Sequence, residues 1–323
     1  MRRFSISVAL ALLLTGSPLH AQFADPRGSP ALGIFGTDLP SGQQDLDVFE
    51  KWLNRRVDYS VVFGGYDNGW DDYEGSVWYI TWLWRDAPAR KLLWAVPLIP
   101  TRSYATLANA AGGQYDDHYR NVATMIAAHD PQAVIRVGWE FNGGWYPWMA
   151  SQGEQQYIGA YRDLVKVFRG VSPNFQFVWN PNLGAPDSDP ALAYPGDDVV
   201  NYIGMDIYEN TAYLSGTPDE RWNYMLTADD RGLNWLASFA ALHMKPIAFP
   251  EWATNYDDGS FIQRMHDWML QHDVVMQSYW DNAAAFNGSF AYHPKNGELY
   301  KRLFVGSQTW MILGSTSALS LKR

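Results

Sequence analysis

A single-domain (β/α)8 barrel is the fold class that the sequence predicts, and three observations predict it. Apolar, β-branched runs recur eight times, stretches of helical spacing separate them, and polar and aromatic residues collect just after the runs rather than inside them. This alternation suits a closed parallel sheet wrapped in helices, whose chemistry sits at the carboxyl ends of the strands.

The first residues stand apart. Arg2 and Arg3 precede the apolar run Val8–Leu14 and a small-residue end at Ala21, so residues 1–21 read as a signal peptide. The run is much shorter than the roughly 20 apolar residues that cross a bilayer, and no later run is long enough either. Residues 22–323 are then expected as one exported catalytic domain, secreted or periplasmic. The chain has no cysteine, so its stability must come from its core. Losing Arg2 and Arg3 makes the formal net charge of −10 more negative by two, which argues against nucleic acid or an anionic membrane as partner. An acidic monomer is expected.

The predicted strands are Leu32–Phe35, Tyr59–Phe63, Leu92–Leu98, Val134–Trp139, Phe175–Trp179, Tyr202–Met205, Ile247–Phe249 and Val274–Tyr279. Helices are predicted at Leu46–Asn54, Val77–Asp86, Asp116–Ala128, Gln155–Phe168, Trp222–Leu242, Ser260–Gln271 and Glu298–Phe304. Asp130-Pro131 and Ser172-Pro173 stop two of them, because proline cannot continue a helix.

The residues that follow each strand assemble a site. The second strand is followed by Asp67 and Trp70, and the fourth runs into RVGWEFNGGWYPW, Arg136 to Trp148. The fifth ends in VWNPN, the sixth gives Asp206 and Tyr208, the seventh Glu251, and the eighth Trp280 and Asn282. Glu140 ends a buried strand among Trp139, Phe141 and Trp145. Desolvation there favours the protonated carboxyl, which suits a general acid near neutral pH. Asn142 is placed to hold a hydroxyl or to orient the acid, and the competing reading makes Glu140 a structural partner of Arg136. Trp139, Trp145, Trp148, Trp70 and Trp280 are candidate stacking faces for sugar rings, although a tryptophan is more often core. Asp67 and Asn282 are candidate hydroxyl ligands.

Glu251 in KPIAFPEWA ends the seventh strand as Glu140 ends the fourth, three strands away around the ring. Two carboxyls facing each other over a barrel mouth are the equipment of glycoside hydrolysis. Tyr208 and Arg136 are placed to donate to Glu251, with Asp206 supporting them. No HExxH-like pattern, GxSxG elbow or P-loop appears, which argues against zinc, serine-hydrolase and nucleotide chemistry of those types. No metal or organic cofactor is expected.

Together RVGWEFNGGWYPW, VWNPN, YPGDDVVNYIGMDIY and KPIAFPEWA resemble glycoside hydrolase family 26, a retaining barrel family best known for β-mannanases, from about Pro30 to about Phe304. The resemblance implies Glu140 as acid/base and Glu251 as nucleophile, with Tyr208 and Arg136 tuning the latter. Two positions depart from the family's pattern. Trp139 stands where a sugar-contacting histidine is usual, and Ala253 where a glycine is common. The expected activity is endo-hydrolysis, with retention, of a β-linked polysaccharide. The substrate is either β-mannan-like or a bacterial exopolysaccharide with substituted backbone sugars. A carbohydrate-binding barrel without activity and a transglycosylase using the same residues remain the alternatives.

Overall fold

The computed structural model describes residues 29–35, 42–184 and 189–305. The expected signal peptide and the segment from Ser307 onward lie outside these residues.

The strands are β1 (Ala31–Phe35), β2 (Tyr59–Phe63), β3 (Lys91–Val96), β4 (Val134–Val137), β5 (Gln176–Trp179), β6 (Tyr202–Glu209), β7 (Ile247–Thr254) and β8 (Val274–Tyr279). They pair in chain order, all parallel, and β1 closes on β8 through Ala31↔Met276. Parallel neighbours need long crossovers. These carry α1 (Gly42–Leu53), α2 (Gly69–Leu83), α3 (Leu107–Ala111), α4 (Asp116–His129), α5 (Glu154–Val171), α6 (Pro218–Thr227), α7 (Leu233–Leu242) and α8 (Ser260–Gln271), with α9 (Pro294–Val305) after β8. Among the described residues no helix is long and apolar enough to cross a membrane.

Period-2 alternation splits the strand residues between two cores. Leu32, Trp94, Ile135, Phe177, Ile203 and Phe249 belong to the outer core shared with the helices. Tyr59, Val61, Leu93, Val134, Val178, Tyr202, Ala248 and Met276 pack into the barrel interior. Two residues beyond Val134 on the same face comes Arg136, and beyond Tyr202 come Asp206 and Tyr208. The inward face therefore changes from an apolar floor to a charged mouth within one or two pleats.

Strand β7 breaks its own alternation to reach that mouth. Gly204 pairs with Ala248 but Asp206 with Glu251, so β7 spends one residue more than β6 between the two pairs. A matching shift against β8 lies between Phe249 and Trp252. This bulge contains Pro250, which has no N–H to give to a ladder, and it turns Glu251 to the same side as Ala248.

Four expected elements are corrected. The helix expected over Trp222–Leu242 is two helices, separated by a turn in which Asp230 has φ +56°. The capping box of Thr217 and Glu220 also starts the first of them earlier. Strands β6 and β7 run on past Met205 and Phe249, because the polar residues there face the interior. Strand β4 stops at Val137, short of Trp139, since Gly138 at φ +47° and Glu140 at φ +51° leave extended geometry.

Candidate active site

Glu140 sits on a turn the backbone has to be forced into. A left-handed conformation is strained for a residue with a Cβ, and Glu140 is held in it by its N–H to Asn180 O at 2.8 Å and by Gly143 N–H to its carbonyl at 3.0 Å. A Cβ on Gly138, two residues earlier, would lie 2.8 Å from the Leu98 side chain, so that position needs glycine. The carboxyl accepts from two donors. Asn182 Nδ2 donates to Oε1 and Trp145 Nε1 donates to Oε2 at 2.8 Å. Asn142 clamps Asn182, giving Nδ2 to its carbonyl at 2.7 Å and taking its N–H on Oδ1 at 2.8 Å. Burial first, and the Glu251 charge second, push the Glu140 pKa up to about 7 against the opposing pull of Arg136, Asn182 and Trp145.

Glu251 has the opposite surroundings. Arg136 Nη1 donates to its Oε1 and the Tyr208 hydroxyl to its Oε2. The other arm of the guanidinium, Nη2, donates to Asp206, and both Arg136 and Asp206 are fully buried. Burial opposes the Arg136 charge, but Asp206, Glu251 and Glu140 outweigh it and raise its pKa, keeping the guanidinium protonated. Burial and the Glu251 charge raise Tyr208 in turn, so its hydroxyl keeps the proton it donates. Arg136 does not hydrogen-bond Glu140, so the reading of these two as a structural pair is corrected.

The remaining candidates divide. Trp145 is half exposed and lines a cleft of about 460 Å³ with Glu140, Asn182, Tyr208 and Phe286. Trp139 and Trp148 are buried and present no face to a sugar. Trp148 donates to Trp139 O at 2.8 Å, and the Trp139 ring packs against Phe63, Tyr66 and Tyr146. Trp70 stacks on His118 at 4.2 Å, on the helix layer rather than in the mouth. Trp280 stacks on Phe35 at 4.2 Å and gives its N–H to Phe286 O, supporting the cleft wall from behind. Asn142 is fully buried and acts through Asn182 instead of meeting a hydroxyl. Asp67 is exposed on the β2–α2 loop. Asn282 holds its own loop through Ala284 N–H and borders a different cavity, beside α1.

Asn182, Asn210, Tyr213, Leu214 and Phe286 line the cleft without having been singled out. VWNPN carried a visible signal for Asn182, a polar residue just past a strand. The others sit in loops whose sequence offers none. Among the described residues no group of three or more His, Asp or Glu is placed to hold a metal ion.

Residues 74–230 match the model of Glycosyl hydrolase family 26. No curated protein sequence matches the chain. Among solved structures, the barrel is similar to the catalytic domain of the GH26 endo-β-1,4-mannanase of Bacillus sp. JAMB-750, at TM-score 0.61 and 17% identity, covering 88% of each chain. It is similar to GH26A from Muricauda sp. MAR_2010_75 at TM-score 0.60 and 15% identity, covering 89% of this chain and 91% of that one. YdhT from Bacillus subtilis follows at 0.59 and 14%, covering 85% and 87%. At these identities the structural likeness concerns the fold.

Proposed function

We propose that the chain, whose residues 74–230 match the model of glycosyl hydrolase family 26, is a glycoside hydrolase acting on a polysaccharide and cleaves internal β-glycosidic bonds with retention. The observation that carries this reading is the contrast between two carboxyls at one barrel mouth, Glu140 pushed up to about 7 and Glu251 held by a buried guanidinium and a tyrosine hydroxyl.

In the first step the Glu140 proton goes to the glycosidic oxygen while a Glu251 oxygen attacks the anomeric carbon. The C–O bond to the leaving sugar breaks and a glycosyl ester forms. The ester is neutral, so the charge that raised Glu140 is gone, its pKa falls, and it remains ionised and available to accept a proton. It then takes a proton from water as the water oxygen attacks the same carbon, and Glu251 leaves as carboxylate. Arg136 and Tyr208 stabilise that carboxylate at both ends of the cycle. No metal or organic cofactor enters either step.

The structural neighbours named as endo-β-1,4-mannanases make β-mannan the first polymer to try, and an exopolysaccharide with substituted sugars the second. Export through residues 1–21 belongs to the same proposal, since such polymers lie outside the cell.

The test is reducing-end release from a panel of β-linked polymers, with Glu140→Gln and Glu251→Ala as controls, and ¹H NMR of the first product. The expected result is activity lost in both variants and a β-anomer that appears before mutarotation. An α-anomer appearing first would overturn retention, and full activity in Glu251→Ala would overturn the assignment.

A further inference from the structure

The cleft beside the two carboxyls is poor in groups that read hydroxyls. Its wall is made by Trp145, Leu183, Tyr213, Leu214, Ala285 and Phe286. Its polar side chains are largely committed to the protein. Asn182 gives Nδ2 to Glu140 and takes Gly184 N–H on Oδ1, while the Tyr208 hydroxyl is on Glu251. Asn210 Oδ1 accepts from Ala212 N at 3.0 Å and Asn255 Nδ2 at 3.3 Å. The lining includes no Lys, Arg or His among the described residues, and Arg136 is fully buried beneath it.

A bare sugar hydroxyl pressed against Leu214, Ala285 and Phe286 loses water and finds both amide acceptors of the cleft, Asn182 Oδ1 and Asn210 Oδ1, already occupied, which leaves its proton unsatisfied. A carboxylated sugar meets no exposed counter-charge and faces Glu140 besides. An ester of that hydroxyl removes the unsatisfied donor and offers a methyl group to Leu214 and Phe286. Its carbonyl is matched by an amide donor that the cleft leaves over, Asn210 Nδ2, which donates to no atom of the described residues.

On the reading of the site as a glycosidase, we propose that its substrate is a neutral β-glycan carrying O-acyl esters, with an acylated sugar seated against Leu214, Ala285 and Phe286. The substituent is recognised by burial, so its contribution follows the area removed from water.

The experiment compares kcat/KM for reducing-end release on partially O-acetylated β-1,4-mannan and on the same batch after saponification, for the native chain, Leu214→Asn and Glu140→Gln. The expected result is a preference of about four-fold or more for the acetylated polymer, the equivalent of about 0.8 kcal/mol for one buried methyl group. Leu214→Asn should erase that preference. Equal or faster cleavage of the saponified polymer by the native chain would overturn the acyl proposal and leave the glycosidase reading standing. Release from neither polymer above the Glu140→Gln background would overturn both.

Discussion

Replacing Glu140 by glutamine should change stability in a way that depends on pH. The Glu140 carboxyl is buried, 8% exposed, and its pKa rises from 4.5 to about 7 on folding. The native state therefore holds this proton more tightly than the unfolded chain does. Below the unfolded value both states are protonated and the contribution is fully present. As the pH rises from 4.5 toward 7 the unfolded chain releases its proton first and stability falls. Above 7 the loss is complete, at about 1.4 kcal/mol for each pH unit between the two values, or about 3 kcal/mol. Glutamine is neutral throughout and escapes this loss. It keeps an oxygen for Asn182 but turns an N–H toward Trp145 Nε1, a lost hydrogen bond of about 1 kcal/mol. Glu140→Gln should then be more stable than the native chain by about 2 kcal/mol at pH 8 and less stable by about 1 kcal/mol at pH 4. Urea unfolding at both pH values, read as midpoints with unchanged slope, measures the difference. The same shift at pH 4 and pH 8 would refute the reasoning, because it would mean that Glu140 ionises alike in the folded and unfolded states.

Catalysis should report the same carboxyl. The kcat/KM profile should fall on its alkaline side with a midpoint of about 7, and Trp145→Phe, which removes a donor that lowers this pKa, should move the midpoint upward; an unmoved limb would contradict the assignment of Glu140 as acid. Tyr208→Phe takes one of two donors from Glu251 and should lower kcat roughly 10- to 100-fold, the size of a lost hydrogen bond to a charged group, while single-turnover kinetics on an activated aryl glycoside locate the loss in formation of the glycosyl ester. Arg136→Met leaves Asp206 and Glu251 buried without their cation and should cost about 3–5 kcal/mol in denaturant unfolding; native-like stability would show that the guanidinium is not needed to hold them.

Much of the barrel was legible because its strands are apolar runs and apolar runs are visible. Tyr59–Phe63 and Val274–Tyr279 have the same limits in sequence and structure. The misplaced ends of β6 and β7 have one cause. Asp206, Tyr208 and Glu251 look like loop residues, since a charge inside a strand is meaningful only once the facing strand has supplied Arg136. The bulge at Pro250 is hidden for a related reason, as it exists only relative to the register of two neighbours. The turn that splits α6 from α7 did have a signal in Asp229-Asp230-Arg231-Gly232, overridden by apolar spacing that runs through on both sides. Among candidate site residues, strand ends and motifs pointed to the two glutamates, Arg136 and Tyr208, and the structure brings these four together at the barrel mouth. Trp148 and Trp139 take the core role of the two open to them, a choice the sequence leaves undecided because a tryptophan that stacks on sugar and one that packs on tyrosine have the same sequence neighbourhood. Asn142 was found with both of its possible roles, and only the clamp on Asn182 decides between them.

The buried guanidinium joins the two halves of the ring. Arg136 comes from the fourth strand, and the carboxylates it holds, Asp206 and Glu251, come from the sixth and seventh. A chain cut between β4 and β5 would give one fragment with an unpaired interior cation and another with unpaired interior anions. Neither half could seal its open sheet edges on a second copy of itself without burying like charges together, so the charges disfavour homodimers and favour the correct heterodimer. Turnover by the mixed fragments would report reassembly directly, since Glu251, the proposed nucleophile, is set in place only when the halves meet.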